Sequence, residues 1–410
     1  MIVRDICSAP SVGGEGYTLS ATVESDRGRP FHMEFVVDGA KPPRRAVSGD
    51  AFLAATLPVT MALGERLRIE APVSARLLAS TADLMAIYHH WGVGDHPVEV
   101  LPDRTEQDPD PHSHDVAAFF SAGVDSFYTL LKPRPSRQRI SHLVLVFGFD
   151  CDERNRPIFE ELVDRTRRVA EKTDRHPVTV HTNLRQFADP IVDWSLYHGA
   201  ALASVGLALE ESFRTVLVGS THAYRELVPW GSHPLMDHLW STESTEFIHD
   251  GAEALRSEKI AAISRSPVAM ENLRVCVRKK SRRYNCGICE KCLRTMVGLQ
   301  AVRALADAPT FPHTIDVDRL RRIPTESESS VRFLRDLLVA LGPAPEDRPI
   351  RDTLQSVIRR ATWRLRAQEA LRWSVGPRRA SSILETYERI RDGVSRRVRR
   401  WVRSAPPEDT

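Results

Sequence analysis

Residues 116–126 read Val-Ala-Ala-Phe-Phe-Ser-Ala-Gly-Val-Asp-Ser, an apolar run that ends in a turn of small residues and leads into helical spacing. Ser121, Ala122 and Gly123 carry little or no side chain, so the backbone there can approach an anion, while Ser121 and Ser126 add hydroxyl donors. The spacing predicts a helix over 124–131, opening with Val124 and Asp125, whose first free N–H groups and positive dipole end point back at the turn. Phosphate is the anion that such a turn suits. The Gly-x-x-x-x-Gly-Lys-Ser/Thr loop is excluded, since no Gly-Lys pair occurs in the chain. A tight strand-to-helix turn with no ligand has the same composition.

A second group of reactive side chains is Cys276, Cys286, Cys289 and Cys292, four of the six cysteines within seventeen residues. Two-residue gaps let successive thiolates turn onto one ion, Gly287 frees the knuckle, and a loop brings in the fourth ligand of a closed tetrahedral site. A structural Zn²⁺ is the leading reading; an iron–sulfur cluster accepts the same four thiolates, and unmetallated thiols are the third. Lysines and arginines between Cys276 and Cys286 lower the thiol pKa values and offset the negative charge that four thiolates leave on a divalent ion. Cys7 and Cys151 stand alone and the sequence shows no secretory leader, so a reducing cytoplasm is expected and disulfides are not.

These groups need a frame to hold them. From residue 116 the pattern alternates: strand, helix 124–131, strand 143–147, helix 157–172, strand 178–182, helix 195–211, strand 215–218. That rhythm calls for an α/β fold, a parallel sheet with helices on both faces, in which Ser121, Asp150 and Ser220 all fall at carboxyl ends of strands where ligands bind. Residues 1–100 read as a β-rich module with a helix over 75–90, residues 101–115 as an exposed linker rich in Asp, Pro and His, and residues 301–410 as a helical, basic region. His112 and His114 are linker residues on this reading, because no third ligand lies near. A chain of 410 residues with 42% hydrophobic content exceeds one core, and no run approaches the roughly 18 apolar residues needed to span a membrane. The net charge of +3 hides an asymmetry, +8 over residues 351–410 against −5 before them.

Ser121-Ala122-Gly123-Val124-Asp125-Ser126 resembles the Ser-Gly-Gly-x-Asp-Ser signature of the PP-loop ATP pyrophosphatases, with Ala122 in place of the first glycine. Within that superfamily the chain is most similar to the 7-cyano-7-deazaguanine synthases. Phe120 precedes the loop, and Cys286-Gly287-Ile288-Cys289-Glu290-Lys291-Cys292-Leu293-Arg294 matches their late zinc motif. The strand ending at Phe147 and Gly148 resembles the one whose end receives adenine, and Gly219 stands where the next strand ends in a glycine turn. The resemblance covers residues 115–300. It stops short of the substrate, because the family's Tyr-Pro-Asp-Cys-Arg run is absent and residues 224–234 read Tyr-Arg-Glu-Leu-Val-Pro-Trp-Gly-Ser-His-Pro instead.

The resemblance implies an ATP- and Mg²⁺-dependent ligase in which a small carboxylate attacks the α-phosphate, pyrophosphate leaves, and ammonia displaces AMP. Ser121, Ala122, Gly123, Val124, Asp125 and Ser126 would hold the phosphates, Phe147, Gly148 and Gly219 would line the nucleotide, and Lys259 is placed like the lysine that follows the family's substrate region. Two other readings stay open: a tRNA- or nucleic-acid-modifying enzyme that transfers sulfur, and a nucleotide-binding protein without turnover. Glu226, His233, Asp237 and Glu243 lie in the polar stretch 221–246, where substrate contacts are expected. The arginine-rich stretch 355–403 has the spacing of two or three amphipathic helices. Nucleic acid, anionic lipid, an acidic partner protein and the acidic remainder of the same chain all suit its charge.

Overall fold

The computed structural model describes residues 1–11, 16–26, 28–43, 48–107, 113–278, 283–325 and 327–375. The chain divides into two compact units, residues 1–316 with 339–342, and residues 317–338 with 343–410.

The first unit opens with an antiparallel meander, β1 (Ile2–Pro10), β2 (Tyr17–Glu24) and β3 (Phe31–Asp38). Alternation along these strands buries Tyr17, Leu19, Ala21 and Val23 together with Met33, Phe35 and Val37. The next helix, α1 (Asp50–Leu63), is apolar on every side and buried along most of its length. Its Thr56 and Thr60 hydroxyls donate to the Phe52 and Thr56 carbonyls, so neither is stranded in the core. β4 (Leu67–Ser74) and α2 (Ala75–His90) follow, with Ser74 Oγ capping the helix by accepting from the Leu77 N–H at 3.0 Å. β5 (Val100–Glu106) lies within the stretch expected as linker. It is held to β4 by its backbone, and its side chains are mostly exposed, so hydrophobic periodicity gives no sign of it.

The expected alternation then appears as β6 (Val116–Phe119), α3 (Val124–Leu131), β7 (His142–Phe147), α4 (Arg156–Thr173), β8 (His176–Thr182), α5 (Leu184–Ala188), α6 (Trp194–Ala208), β9 (Thr215–Gly219) and β10 (Glu246–Asp250). These five strands are parallel in the order β10-β9-β6-β7-β8. Ala117, Phe119, Val144, Val216 and Val218 join the apolar cluster built around α1 and α6. Their neighbours Ala118, Leu143, Leu145 and Leu217 are also buried and point by the pleat to the other face, against α3 and α4.

The sheet does not end at β8. β8 pairs antiparallel with β3 from Phe35↔Thr182 to Asp38↔Thr179, which makes one ten-stranded sheet, β10-β9-β6-β7-β8-β3-β2-β1-β4-β5. The fold is therefore α/β with a mostly parallel sheet, and residues 1–100 are continuous through it with the strands of 116–300. Two buried tyrosines stitch the halves together: Tyr17 Oη donates to the Ala208 carbonyl at 2.6 Å and Tyr197 Oη to that of Ala55 at 2.8 Å.

After β10 come α7 (Arg256–Ile263), α8 (Pro267–Asn272) and α9 (Glu290–Ala301). In the second unit, α10 (Val317–Arg321), α11 (Glu328–Leu341) up to residue 338, and α12 (Arg348–Val375) bury Leu320, Leu334, Leu337, Leu354 and Val357. Arg360 and Arg364 of α12 donate to the carbonyls of Arg321 and Thr325. The basic stretch beyond Val375, with Tyr387 and Trp401 of the aromatic residues expected on amphipathic helices, lies outside the described residues, as does His112. Among the described residues no helix is long and apolar enough to cross a membrane.

Candidate nucleotide and metal sites

β6 delivers the chain to the turn through its pairing with β7, and the Phe120 N–H donates to the Val144 carbonyl at 2.8 Å. Ser121 is then exposed, Ala122 turns into the left-handed region with φ 56°, and Gly123 is the N-cap residue of α3 with φ −79° and ψ 172°. A left-handed alanine costs about 1 kcal/mol or more, so the surrounding contacts must hold it there. One of them is the Arg274 N–H, which donates to the Ala122 carbonyl at 2.8 Å. The alanine methyl is packed inside, since only 1% of Ala122 is exposed, and so it does not project into the turn. From Ser121 to Ser126 the backbone N–H groups donate to no carbonyl or side chain of the described residues. That row of donors at the start of a helix is the geometry that receives an anion.

Side chains reinforce it. Asp125, in the first turn of α3, accepts from Arg256 Nη1 at 2.5 Å through Oδ2 and from Lys259 Nζ at 3.2 Å through Oδ1. Burial alone would raise its carboxyl, but Arg256 and Lys259 outweigh that and hold it below the usual carboxylate range. Lys259 is 1% exposed and also donates to the Ser220 carbonyl at 2.5 Å. Two buried cations on one carboxylate leave the group net positive. Arg294, from α9, lies close enough to interact with Asp125 and Arg256; it is paired with Glu290 at 3.0 Å, and burial brings its guanidinium down to about 10. His222, beyond the end of β9, is held down to about 4 by burial, and Arg294, Arg256 and Lys259 act in the same direction.

The remaining expected nucleotide residues are placed unevenly. Ser126 is buried and donates to the Gly123 carbonyl at 3.1 Å, so its hydroxyl proton braces the loop. Gly219 lies under α3, where an added Cβ would come within 3.3 Å of the Asp125 carbonyl oxygen. Gly148 has φ 104°, and a Cβ there would meet the Thr182 carbonyl at 2.0 Å. Phe147 packs its ring on Phe159 and His181 with centroids 4.6 and 5.1 Å away. Its place is in the core behind the strand end.

The four cysteine sulfurs lie within 4.8 Å of one another, and Cys286 Sγ is 3.8 Å from Cys292 Sγ. Thiolates bound at about 2.3 Å to a tetrahedral ion stand about 3.8 Å apart, so this group could hold a single metal ion such as zinc. The knuckle is well formed. The N–H groups of Ile288 and Cys289 point at Cys286 Sγ at 3.5 and 3.3 Å, and Gly287, at φ 70°, is pressed so close to Pro312 that a Cβ would lie 2.5 Å from its ring. Cys289 is the N-cap residue of α9 and Cys292 lies in its first turn, where the helix dipole favours thiolate. Without a cation, sulfurs this close must share protons: Cys276 is pushed down by hydrogen bonds from Cys289 and Cys292, and those two thiols are pushed up in turn.

The stretch 221–246 sends its acids in different directions. Glu243 accepts from Ser74 Oγ at 2.6 Å and the Arg76 N–H at 2.9 Å, and so fastens the start of α2. His233 is buried against Trp91. Glu226 sits on a short 3₁₀ turn, Tyr224–Glu226. Asp237 alone of the four reaches the end of β9, through His249. Sequence reasoning missed the roles of Arg256, Arg274, Arg294 and His249; only their arrival beside α3 or Ser220 marks them, and no spacing rule connects them. A separate cleft of about 880 Å³ is lined by the turns after α1 and α2 and by residues 191–193, and it shares no residue with the phosphate turn. Comparison with protein-family models, with curated proteins and with solved structures gives no match.

Proposed function

We propose that this chain is an ATP-dependent, AMP-forming ligase of the PP-loop kind, adenylating a small carboxylate and passing the acyl group to ammonia. The observation that carries the reading is the pairing of six unclaimed N–H groups, Ser121 to Ser126, with the buried, net positive group Asp125, Arg256 and Lys259. Such a site suits a di- or triphosphate better than a monoanion. It also suits the departing pyrophosphate, whose charge grows as the α-phosphate is transferred.

In this reading Arg256 and Lys259 stabilise the leaving group, and the exposed Ser121 hydroxyl donates to a phosphate oxygen. Asp125 has both carboxylate oxygens engaged by cations, which gives it an ordering role in the loop. Mg²⁺ arriving with the nucleotide supplies further charge on the phosphates. A Zn²⁺ on Cys276, Cys286, Cys289 and Cys292 supplies structure, and the close sulfur spacing favours one ion over a cluster of several irons. Sulfur transfer is disfavoured because the four clustered thiols are drawn onto one point, leaving Cys151 buried and Cys7 on β1.

Nucleotide product analysis tests the proposal, with Mg-ATP, ammonium and a panel of carboxylates including 7-carboxy-7-deazaguanine. AMP and pyrophosphate, abolished in Asp125→Ala, are expected with the cognate acid. ADP, or AMP that persists in the variant, would refute it. Tight ATP binding with no product from any acid or from tRNA would favour the binding-protein reading.

A further inference from the structure

Beyond the end of β9 a second polar chain is buried. His249 Nδ1 lies 2.7 Å from Asp237 Oδ2, and His249 Nε2 lies 2.8 Å from Ser220 Oγ. Ser232 Oγ donates to the same Asp237 oxygen at 2.7 Å, and the His233 N–H donates to Asp237 Oδ1 at 3.1 Å. The order serine, histidine, aspartate is that of a hydrolase triad. Two observations take it out of that role. Ser220 is 1% exposed, so no acyl group reaches its oxygen. Its Oγ also lies 2.6 Å from the His222 carbonyl, which can only accept, so the hydroxyl proton is directed there and away from the imidazole.

What the chain does is immobilise Ser220. The Ser220 N–H donates to the Asp250 carbonyl at 2.7 Å, its hydroxyl is held between His249 and the His222 carbonyl, and its own carbonyl receives Lys259 Nζ. An ammonium has three protons. Among the described residues those of Lys259 meet two hydrogen-bond acceptors, the Ser220 carbonyl and Asp125 Oδ1, and the ammonium also stands 5.7 Å from the centroid of the Tyr128 ring. Fixing both acceptors fixes the direction of the third proton.

We infer that Asp237, His249 and Ser220 form a positioning relay that locks the Ser220 carbonyl and thereby sets the direction of the third N–H of Lys259, the one left for an anion on the phosphate turn beside Tyr128. None of the three touches the anion. The identity of that anion as a nucleotide phosphate rests on the proposed function, whereas the locking of Lys259 does not.

The experiment therefore has two arms. In the first, native full-length protein is acetylated with limiting acetic anhydride, and Lys259 is followed by mass spectrometry against Lys41, Lys132 and Lys172. His249→Leu is expected to raise Lys259 labelling about tenfold, the release of one charge-assisted hydrogen bond, with the other lysines unchanged. His249→Gln, whose amide can reach Ser220, restores protection. Unchanged Lys259 labelling overturns the inference. If all lysines rise together the leucine variant has unfolded, and Asp237→Asn, which keeps the shape, decides: raised Lys259 labelling supports the relay and unchanged labelling overturns it. In the second arm, Mg-ATP affinity is measured for His249→Gln, Asp237→Asn, Lys259→Met and the two doubles with Lys259→Met. A fall of about tenfold in Asp237→Asn that is not deepened in its double supports the relay, and additive losses overturn it. Wild-type protein that binds no Mg-ATP, yet shows the labelling change, would refute the nucleotide reading while sustaining the relay.

Discussion

The two candidate sites handle charge in opposite senses. The cysteine knuckle gathers four potential negative charges and is complete once one cation enters. The turn after β6 gathers cations and N–H donors around a single carboxylate and, on the proposed reading, is complete only when an anion enters. One is closed and its ligands sit 4.8 Å or less apart, as befits a group that stays. The other leaves Ser121 exposed and a row of donors unclaimed among the described residues, an arrangement that suits the exchanging ligand proposed above. They are not independent, because Arg274, two residues before Cys276, holds the Ala122 carbonyl, and α9, capped at Cys289, carries Arg294 toward Asp125. The closed site thus serves as the abutment of the open one.

The largest test of that contrast is Cys289→Ser. Opening the knuckle should release the metal and lower stability by several kcal/mol, seen as loss of about one zinc per chain and a fall in the urea midpoint. A variant that keeps its metal and its midpoint would break the contrast. Next is pH. His222 titrates near 4 in the folded chain and near 6.5 unfolded, so between those values the unfolded state binds more protons and stability falls as pH falls. The contribution is at most about 3 kcal/mol, and His222→Asn should flatten the slope of stability between pH 6.5 and 4. Lys259→Met should weaken Mg-ATP binding by about tenfold to a hundredfold in calorimetry, with little change in metal content.

Smaller effects sharpen the picture. Ser126→Ala removes one brace within the loop and should cost about 1 kcal/mol, far less than the cysteine change; equal melting shifts would contradict the closed-versus-open distinction. Ala122→Gly relieves a left-handed alanine but frees the unfolded chain, and the two effects should nearly cancel, leaving less than about 1 kcal/mol in denaturant melts.

Much of the parallel half was legible because both signals were local. The apolar run before Ser121 and the spacing after Val124 define β6 and α3, and Cys-x2-Cys-x2-Cys draws three thiols together within two turns of chain. Lys259 was reached only through the resemblance, and Arg256 and the pairing of both cations with Asp125 were illegible for the converse reason. Arg256 and Lys259 lie more than 130 residues from Asp125, and only the parallel order β10-β9-β6 carries α7 back over α3. β5 was hidden by its exposed side chains, and the union of the two halves by the fact that β3–β8 pairing is made by backbone groups that every sequence possesses.

That β3–β8 pairing bears on how the protein can be divided. A fragment beginning near residue 116 would retain the phosphate turn and all four cysteines, yet it would leave β8 as a bare rim of N–H and C=O groups. Rims of that kind recruit one another, so the fragment should self-associate more than the whole chain does. The amino-terminal segment is, in this respect, a chaperone built into the chain: it occupies the sticky border of the parallel half before a second molecule can.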